Sequence, residues 1–388
     1  MRLIPTRFVK EGMYLAQTLN DINNRVLLQK GVELNENLVK KIEENGVYSI
    51  YVYDEYSNDD IEDLISPRLR NTAIKTIKDT FDNLNKYMNQ NNKTAAKRFQ
   101  KTGENNIRSL NKVSKEIVEE MLASQNVLIN LVDIKSIDRY TYQHSVNVAV
   151  LSLILGIEIG LNKNELYDLC IGAMLHDVGK AFVPKEILLK KDKLTEEEFK
   201  IVKEHSKKGY DYLKENYELN ANIKLIAYQH HEKLDGTGYP NGYKEDKINK
   251  LAKIVAITDT YDAMISDKPY RKAIPPNEAI EFIMGSAGRY FDFHMVKLFA
   301  KKVIPYPVGS MVKLSNGEIG VVEEIKPEFS LRPKVKVVKQ KAVTVEMKLV
   351  DLMKETNLVI EGLIYEIPNA NVPRKMGEIN SFKNVKGS

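Results

Sequence analysis

Hydrophobic positions recur along most of this chain at helical spacing. Ile74, Ile77, Phe81, Leu84 and Met88 follow one another at three- and four-residue steps. Ile107, Leu110, Val113, Ile117 and Met121 do much the same. Such spacing gathers each set onto one helix face. The polar stretch NQNNKTAAKRFQKTGENN lies between them, so residues 66–126 are predicted to form an antiparallel helical hairpin. Its stripes either pack on the rest of the chain or join two copies, a homodimer through helices 70–126.

Residues 127–303 continue the helical pattern with clear start signals. NKNELYDLCIGAMLHDVGK opens with Asn-x-x-Glu and ends at Gly179. LTEEEFKIVKEH opens with Thr195-x-x-Glu198, a capping box. The two ends of the chain read differently. In residues 1–55, RVLLQKGVEL alternates like a strand, Asn35 can cap a helix presenting Leu38, Val39 and Ile42, and Asn45-Gly46 can end it. SIYVYD reads as another strand, giving a small α/β module. The acidic stretch DEYSNDDIED that follows reads as a solvated linker. It lacks the glycine and ligand spacing of a calcium loop. Beyond Pro305-Tyr306-Pro307, MVKLSNGEIGVVEEI predicts a hairpin about Asn316-Gly317, and VKVVKQ and NLVIEG add strands. A small β domain at 307–370 and a loose tail at 373–388 follow. The fold class is therefore mainly α, with small sheets before and after a helical centre.

Composition narrows the function classes. A net charge of +5 from 58 basic and 53 acidic residues does not suggest general nucleic-acid binding, though it leaves room for a local basic pocket. The most apolar run, VAVLSLILGIEIG, breaks at Glu158 and is too short for a membrane span, and the N-terminus has no apolar leader. A cytoplasmic protein is expected. Cys170 is the only cysteine and sits in an apolar helical stretch, where a buried thiol is expected.

The chemistry concentrates in one region. Five of the six histidines are His144, His176, His205, His230 and His231, with Asp177 beside His176 and Asp259 in the apolar run IVAITDTYDAM. Imidazoles with carboxylates suit first-row transition metals. Five imidazoles are too many for one catalytic ion that keeps open positions, so two ions can share these seven residues, with Asp177 able to bridge. Such a pair suits hydrolysis of a phosphate ester by a bridging water. Lys180, one turn after His176-Asp177, either holds a phosphate oxygen or merely meets a helix C-terminus. His294 has no such companions and is left out. In HHEKLDGTGYPNG, Gly236, Gly238 and Gly242 permit tight turns or close backbone approach, and Tyr239 can stack on a base.

These residues resemble the HD-GYP proteins, a bacterial subgroup of the HD-domain metal-dependent phosphohydrolases. The matching pieces are YQHS, HDVGK at 176–180, EHSKKG, HHEKLDGTGYP at 230–240 and TDTYDAMISDKPYRKA at 258–273. In FD at 291–292 the usual following proline is Phe293. The resemblance implies an all-helical domain that hydrolyses cyclic di-GMP to pGpG and, in some members, GMP. It carries the metal ligands onto His144, His176, Asp177, His205, His230, His231 and Asp259, with iron or manganese as the expected pair of ions. It gives Lys180, Lys268 and Arg271 to the substrate phosphates. It links the loop of Gly236, Gly238, Tyr239 and Pro240 to docking of diguanylate cyclase (GGDEF) domains. Members with three metals carry a glutamate one turn before the first histidine, where this chain has Tyr140, so two metals are expected. The N-terminal module is similar to regions found before such domains and reads as regulatory or scaffolding. The competing expectations are a sensor that binds a cyclic dinucleotide, or docks a cyclase, without hydrolysing anything, and an HD hydrolase of another phosphoester.

Overall fold

The computed structural model describes residues 2–20, 25–45, 47, 49–53, 65–88, 93–123, 129–130, 140–190, 192–266, 274–340 and 345–364. The acidic stretch after SIYVYD, Gly46, Lys268, Arg271 and the expected tail lie outside them. The described residues are mainly helical, with small sheets toward each end.

At the N-terminal end, β1 (Arg2–Pro5), β5 (Ser49–Tyr53) and β2 (Tyr14–Leu15) form an antiparallel sheet in the order β1-β5-β2. Helix α1 (Glu36–Glu44) starts where Asn35 accepts a hydrogen bond from the Leu38 amide. Ile4, Leu15, Leu34, Ile42, Ile50 and Val52 form a separate small core. The expected single strand over RVLLQKGVEL is shorter here. Only β4 (Val26–Leu28) forms, paired with β3 (Leu19–Asn20), while Glu33 makes an isolated bridge to Tyr14. Alternation marked the region as extended but not where pairing stops.

Helices α2 (Pro67–Met88) and α3 (Lys93–Ala123) make the expected hairpin. Their stripes are buried within the chain. Ile77, Phe81, Leu84, Ile107, Leu110, Val113, Ile117 and Met121 join one continuous core with the helices that follow. The face offered to a second copy in the dimer reading is thus occupied by the chain itself. Helix α2 packs on α4 (Tyr140–Glu158), and α3 on α5 (Lys163–Leu175). Glu119 of α3 receives both the Tyr167 hydroxyl at 2.7 Å and the Lys163 ammonium at 2.6 Å.

The remaining helices are α6 (Lys185–Leu188), α7 (Glu196–Asn216), α8 (Ala221–Gln229), α9 (Lys250–Ile265), α10 (Pro276–Gly285) and α11 (Phe293–Lys302). Both expected capping boxes are present, Asn162 with Glu165 and Thr195 with Glu198. Cys170 is buried, and desolvation pushes its thiol up to about 12. The short strands β6 (Ile129–Asn130) and β7 (Val303–Ile304) pair in parallel. Beyond them β8 (Met311–Leu314), β9 (Ile319–Glu324), β10 (Lys334–Gln340), β11 (Val345–Asp351) and β12 (Ile360–Leu363) form an antiparallel sheet ordered β11-β10-β9-β8-β12. Asn316-Gly317 turns β8 into β9, with Gly317 at φ +84°. No helix among the described residues is long and apolar enough to cross a membrane.

Candidate metal centre

The five helices α4, α5, α7, α8 and α9 bring the seven candidate ligands into one buried cluster. His144 projects from the first turns of α4. His176 caps the C-terminus of α5, and Asp177 starts the 3-10 turn Val178–Phe182. His205 lies midway along α7, His230 caps α8, His231 follows it, and Asp259 lies on α9. Helices α4, α5 and α9 are apolar on nearly every face, which seats them in the interior, while the charged α7 turns a narrow buried stripe with His205, Ser206 and Gly209 inward. A Ser152–Thr258 hydroxyl bond of 2.7 Å ties α4 to α9, and Asp168 accepts from Asn220 and Asn222 to tie α5 to α8.

Gly179 makes this convergence possible. A Cβ there would lie 1.9 Å from the His205 carbonyl oxygen and 2.7 Å from the Gly209 amide nitrogen. The turn that carries His176 and Asp177 therefore rests directly on the α7 backbone beside His205.

The donor atoms fall into two groups, His144, His176 and Asp259 in one, and Asp177, His205, His230 and His231 in the other, each set within 4.8 Å. Asp177 faces both. Its Oδ1 lies 3.5 Å from His205 Nε2 and 3.9 Å from His230 Nε2, while its Oδ2 lies 3.3 Å from His176 Nε2 and 3.8 Å from His144 Nε2. Three rings are anchored through Nδ1 to carbonyls of their own helices: His176 to Ala173, His205 to Val202, and His230 to Ile226 and Ala227. That anchoring turns each Nε2 toward the cluster. His176 Nε2 and Asp177 Oδ1 are fully buried without a hydrogen-bond partner, which is costly for a polar atom lacking a ligand. Imidazole donors, a carboxylate facing both groups and these orphaned atoms fit divalent transition-metal ions.

For His205, His230 and His231 the electrostatics agree with ligand duty. Burial holds His205 down to about 4 and His230 down to about 3, and it depresses His231 as well, so all three offer lone pairs at neutral pH. Burial opposes ionisation of Asp177, but the charge of Lys180 and the neighbouring His176 outweigh it and hold its carboxyl well below the usual range. Asp259 is held down likewise, chiefly by His144 against the same burial. Burial disfavours a charged His144, yet Asp259 and Asp262 on either side of the ring raise it to about 9.

Lys180 places its ammonium 2.5 Å from Asp177 Oδ2 and remains partly exposed. The ring of Tyr239 lies over His231 with centroids 4.6 Å apart, and 6.3 Å from that of His205. Gly238 lets its loop fold back tightly, since a Cβ there would meet the Lys233 amide nitrogen at 2.4 Å and the Glu232 Cα at 2.5 Å. His294 stands exposed on α11, outside the cluster. Tyr140 opens α4, but its side chain lies outside the described residues.

Two functional positions escaped the sequence reading. Glu232, buried beside the doublet, accepts from the Asn241 and Tyr243 amides, both at 2.9 Å, and so clamps the glycine loop. Asp262, fully buried one turn after Asp259, lies 2.6 Å from His144 Nδ1. The Asp-x-x-Asp spacing in the apolar helix was the available signal.

Comparison with known families now bears on this geometry. Residues 116–295 match the model of the HD domain, and residues 311–367 match that of a KOW domain associated with the HD domain. The centre of the chain is an HD domain. A protein named cyclic di-GMP phosphodiesterase from Pseudomonas aeruginosa is 39% identical over 57% of this chain and 53% of its own. A second protein so named, from Borreliella burgdorferi, is 31% identical over 63% of this chain and 62% of its own. The chain therefore spans about half to three-fifths of the length of these relatives. A solved HDG"Y"P protein from Bdellovibrio bacteriovorus, 16% identical, shares the fold with a TM-score of 0.50 over 77% of this chain and 97% of its own. The HD domain thus carries all seven candidate ligands, while the KOW domain coincides with the sheet β8–β12.

Proposed function

We propose that this protein hydrolyses the phosphodiester bonds of cyclic di-GMP at a two-metal centre built from His144, His176, Asp177, His205, His230, His231 and Asp259. The observation that carries the reading is Asp177, whose two oxygens face two separate donor groups. Support for the substrate comes from the two relatives named as cyclic di-GMP phosphodiesterases. When bound, iron or manganese ions supply Lewis-acid polarisation of a phosphoryl oxygen and an activated water.

The chain's own residues then do the rest. The carbonyl-anchored imidazoles orient the donors, and the buried walls exclude bulk water, which strengthens each charge interaction inside. Lys180, already beside Asp177 and reaching toward solvent, holds a non-bridging phosphate oxygen and stabilises charge that grows in the transition state. On the same reading, Lys268 and Arg271 serve the substrate phosphates. Tyr239 closes the centre on the His231 side, and its loop serves as the docking element for a cyclase domain. With Tyr140 in the place of a third-metal carboxylate, the reaction ends at pGpG rather than GMP.

Two measurements test this reading. Protein loaded anaerobically with manganese or iron is expected to convert cyclic di-GMP to pGpG, identified by chromatography, with two ions per chain by elemental analysis. Full metal occupancy with no product would leave a binding-only sensor, and preference for another cyclic dinucleotide would reassign the substrate. Three ions per chain would contradict the two-metal centre. Lys180→Met is expected to lower kcat/KM by about 100- to 1000-fold, the loss typical of removing one group that stabilises transition-state charge. Metal content should stay at the unaltered level. An unchanged rate would return Lys180 to a purely structural role.

A further inference from the structure

The ring anchors of the centre are not alike. His176, His205 and His230 each turn Nδ1 to a neutral carbonyl of the helix that carries them, an arrangement the helix supplies by itself. His144 instead turns Nδ1 to a carboxylate from a different helix, Asp262 Oδ2 at 2.6 Å. Asp259 and Asp262 sit one turn apart on α9 and grip the ring from both sides, with Asp259 Oδ1 at 3.0 Å from Nε2. Asp262 is completely buried, and its Oδ1 has no hydrogen-bond partner. Placing a carboxylate there is expensive, and a neutral acceptor would suffice for packing alone.

We propose that Asp262 is a positioning residue that fixes His144 with its proton on Nδ1 and strengthens Nε2 as a metal donor, tuning the His144–His176–Asp259 group separately from the other. The inference rests on the metal-centre reading. Two effects act together. Accepting the Nδ1 proton leaves the Nε2 lone pair facing the donor group, and the negative charge behind the ring raises the basicity of that nitrogen. Because one helix carries both aspartates, the spacing between anchor and ligand is set by a single helical turn. In the second donor group His205 and His230 turn Nδ1 to backbone carbonyls, and the carboxylate facing His231 Nδ1, from Asp259, stands at 3.8 Å, so the two groups are expected to differ in their response to loss of Asp262.

Manganese titration of the full-length, metal-stripped protein tests this, followed by calorimetry and electron paramagnetic resonance. In Asp262→Ala, one of the two ions is expected to bind about 10- to 100-fold more weakly, the range seen when a ligand's outer partner is removed. The other ion should keep its affinity within about twofold, since its ligands are anchored elsewhere. Asp262→Asn keeps an acceptor and loses the charge, so it should fall between. Long-range proton–nitrogen spectra of protein loaded with diamagnetic zinc in place of manganese should show the His144 proton on Nδ1, and that signal should be lost or moved in the alanine variant. Unchanged affinity for both ions would overturn the role of Asp262. So would equal weakening of both ions in step with a lowered Tm, because that is what a merely structural carboxylate gives. Failure of the unaltered protein to bind manganese would remove the metal-centre reading itself, which separates the two failures.

Discussion

Asp177→Ala is expected to yield a folded protein that turns over no cyclic di-GMP. The carboxylate is almost wholly buried, and its two oxygens lie within 3.9 Å of two histidines in each donor group, whereas Asp259 reaches the second group only through His231 at 3.8 Å. Its loss removes the carboxylate that the Lys180 ammonium meets at 2.5 Å, together with the contacts that carboxylate makes to histidines of both groups. A bound ion is worth several kcal/mol of transition-state stabilisation. Each ~1.4 kcal/mol is a factor of ten, so the rate should fall by at least about a thousandfold. His176→Ala should do the same, since it deletes the orphaned Nε2 donor. Both variants should keep the far-ultraviolet circular dichroism of the parent, because His205 and His230 are neutral and need no counter-charge to stay buried. Normal product formation by either variant would refute the assignment.

Gly179→Ala should damage both stability and the centre. Its backbone is unexceptional, so the effect is steric rather than conformational. The added methyl would land 1.9 Å from the His205 carbonyl oxygen, and neither backbone can yield without moving the turn away from α7. Overpacking of this kind costs about 1–3 kcal/mol and more when backbone must shift. That movement separates Asp177 from His205, so metal affinity should fall along with the denaturant midpoint. Gly209→Ala is a control for the same contact, because its nearest clash is a milder 3.0 Å to the Gly179 amide nitrogen. A Gly179→Ala variant with parental midpoint and metal content would show that the turn has room to spare.

Much of this was legible in the sequence, for identifiable reasons. The pairs His176-Asp177 and His230-His231 stand out because helical packing gives no ordinary reason to place them there. The capping boxes at Asn162 and Thr195 were readable because they are local, completed within four residues. Asp262 was not, because the residue it serves lies 118 positions away, and an acid in an apolar helix has many readings until its partner is known. Glu232 was overlooked because it caps backbone amides of a loop whose path only the fold defines. The stripes of α2 and α3 told which faces are buried but not what buries them. Strand β11 lacked a turn signal of its own, and strand β4 ended where pairing, rather than alternation, gave out.

The continuous core shared by α2, α3 and the ligand-bearing helices sets the size of the smallest fragment that keeps the candidate centre covered. A cut at residue 127 would retain every candidate ligand yet strip α2 from α4 and α3 from α5, with which they share one core. The self-sufficient piece therefore begins at α2. Anything that bends the hairpin also bears on Tyr142, which meets Phe81 edge-on at 5.6 Å and stands two residues before His144. A force that bends the hairpin would therefore reach the candidate centre as pressure on a shared wall.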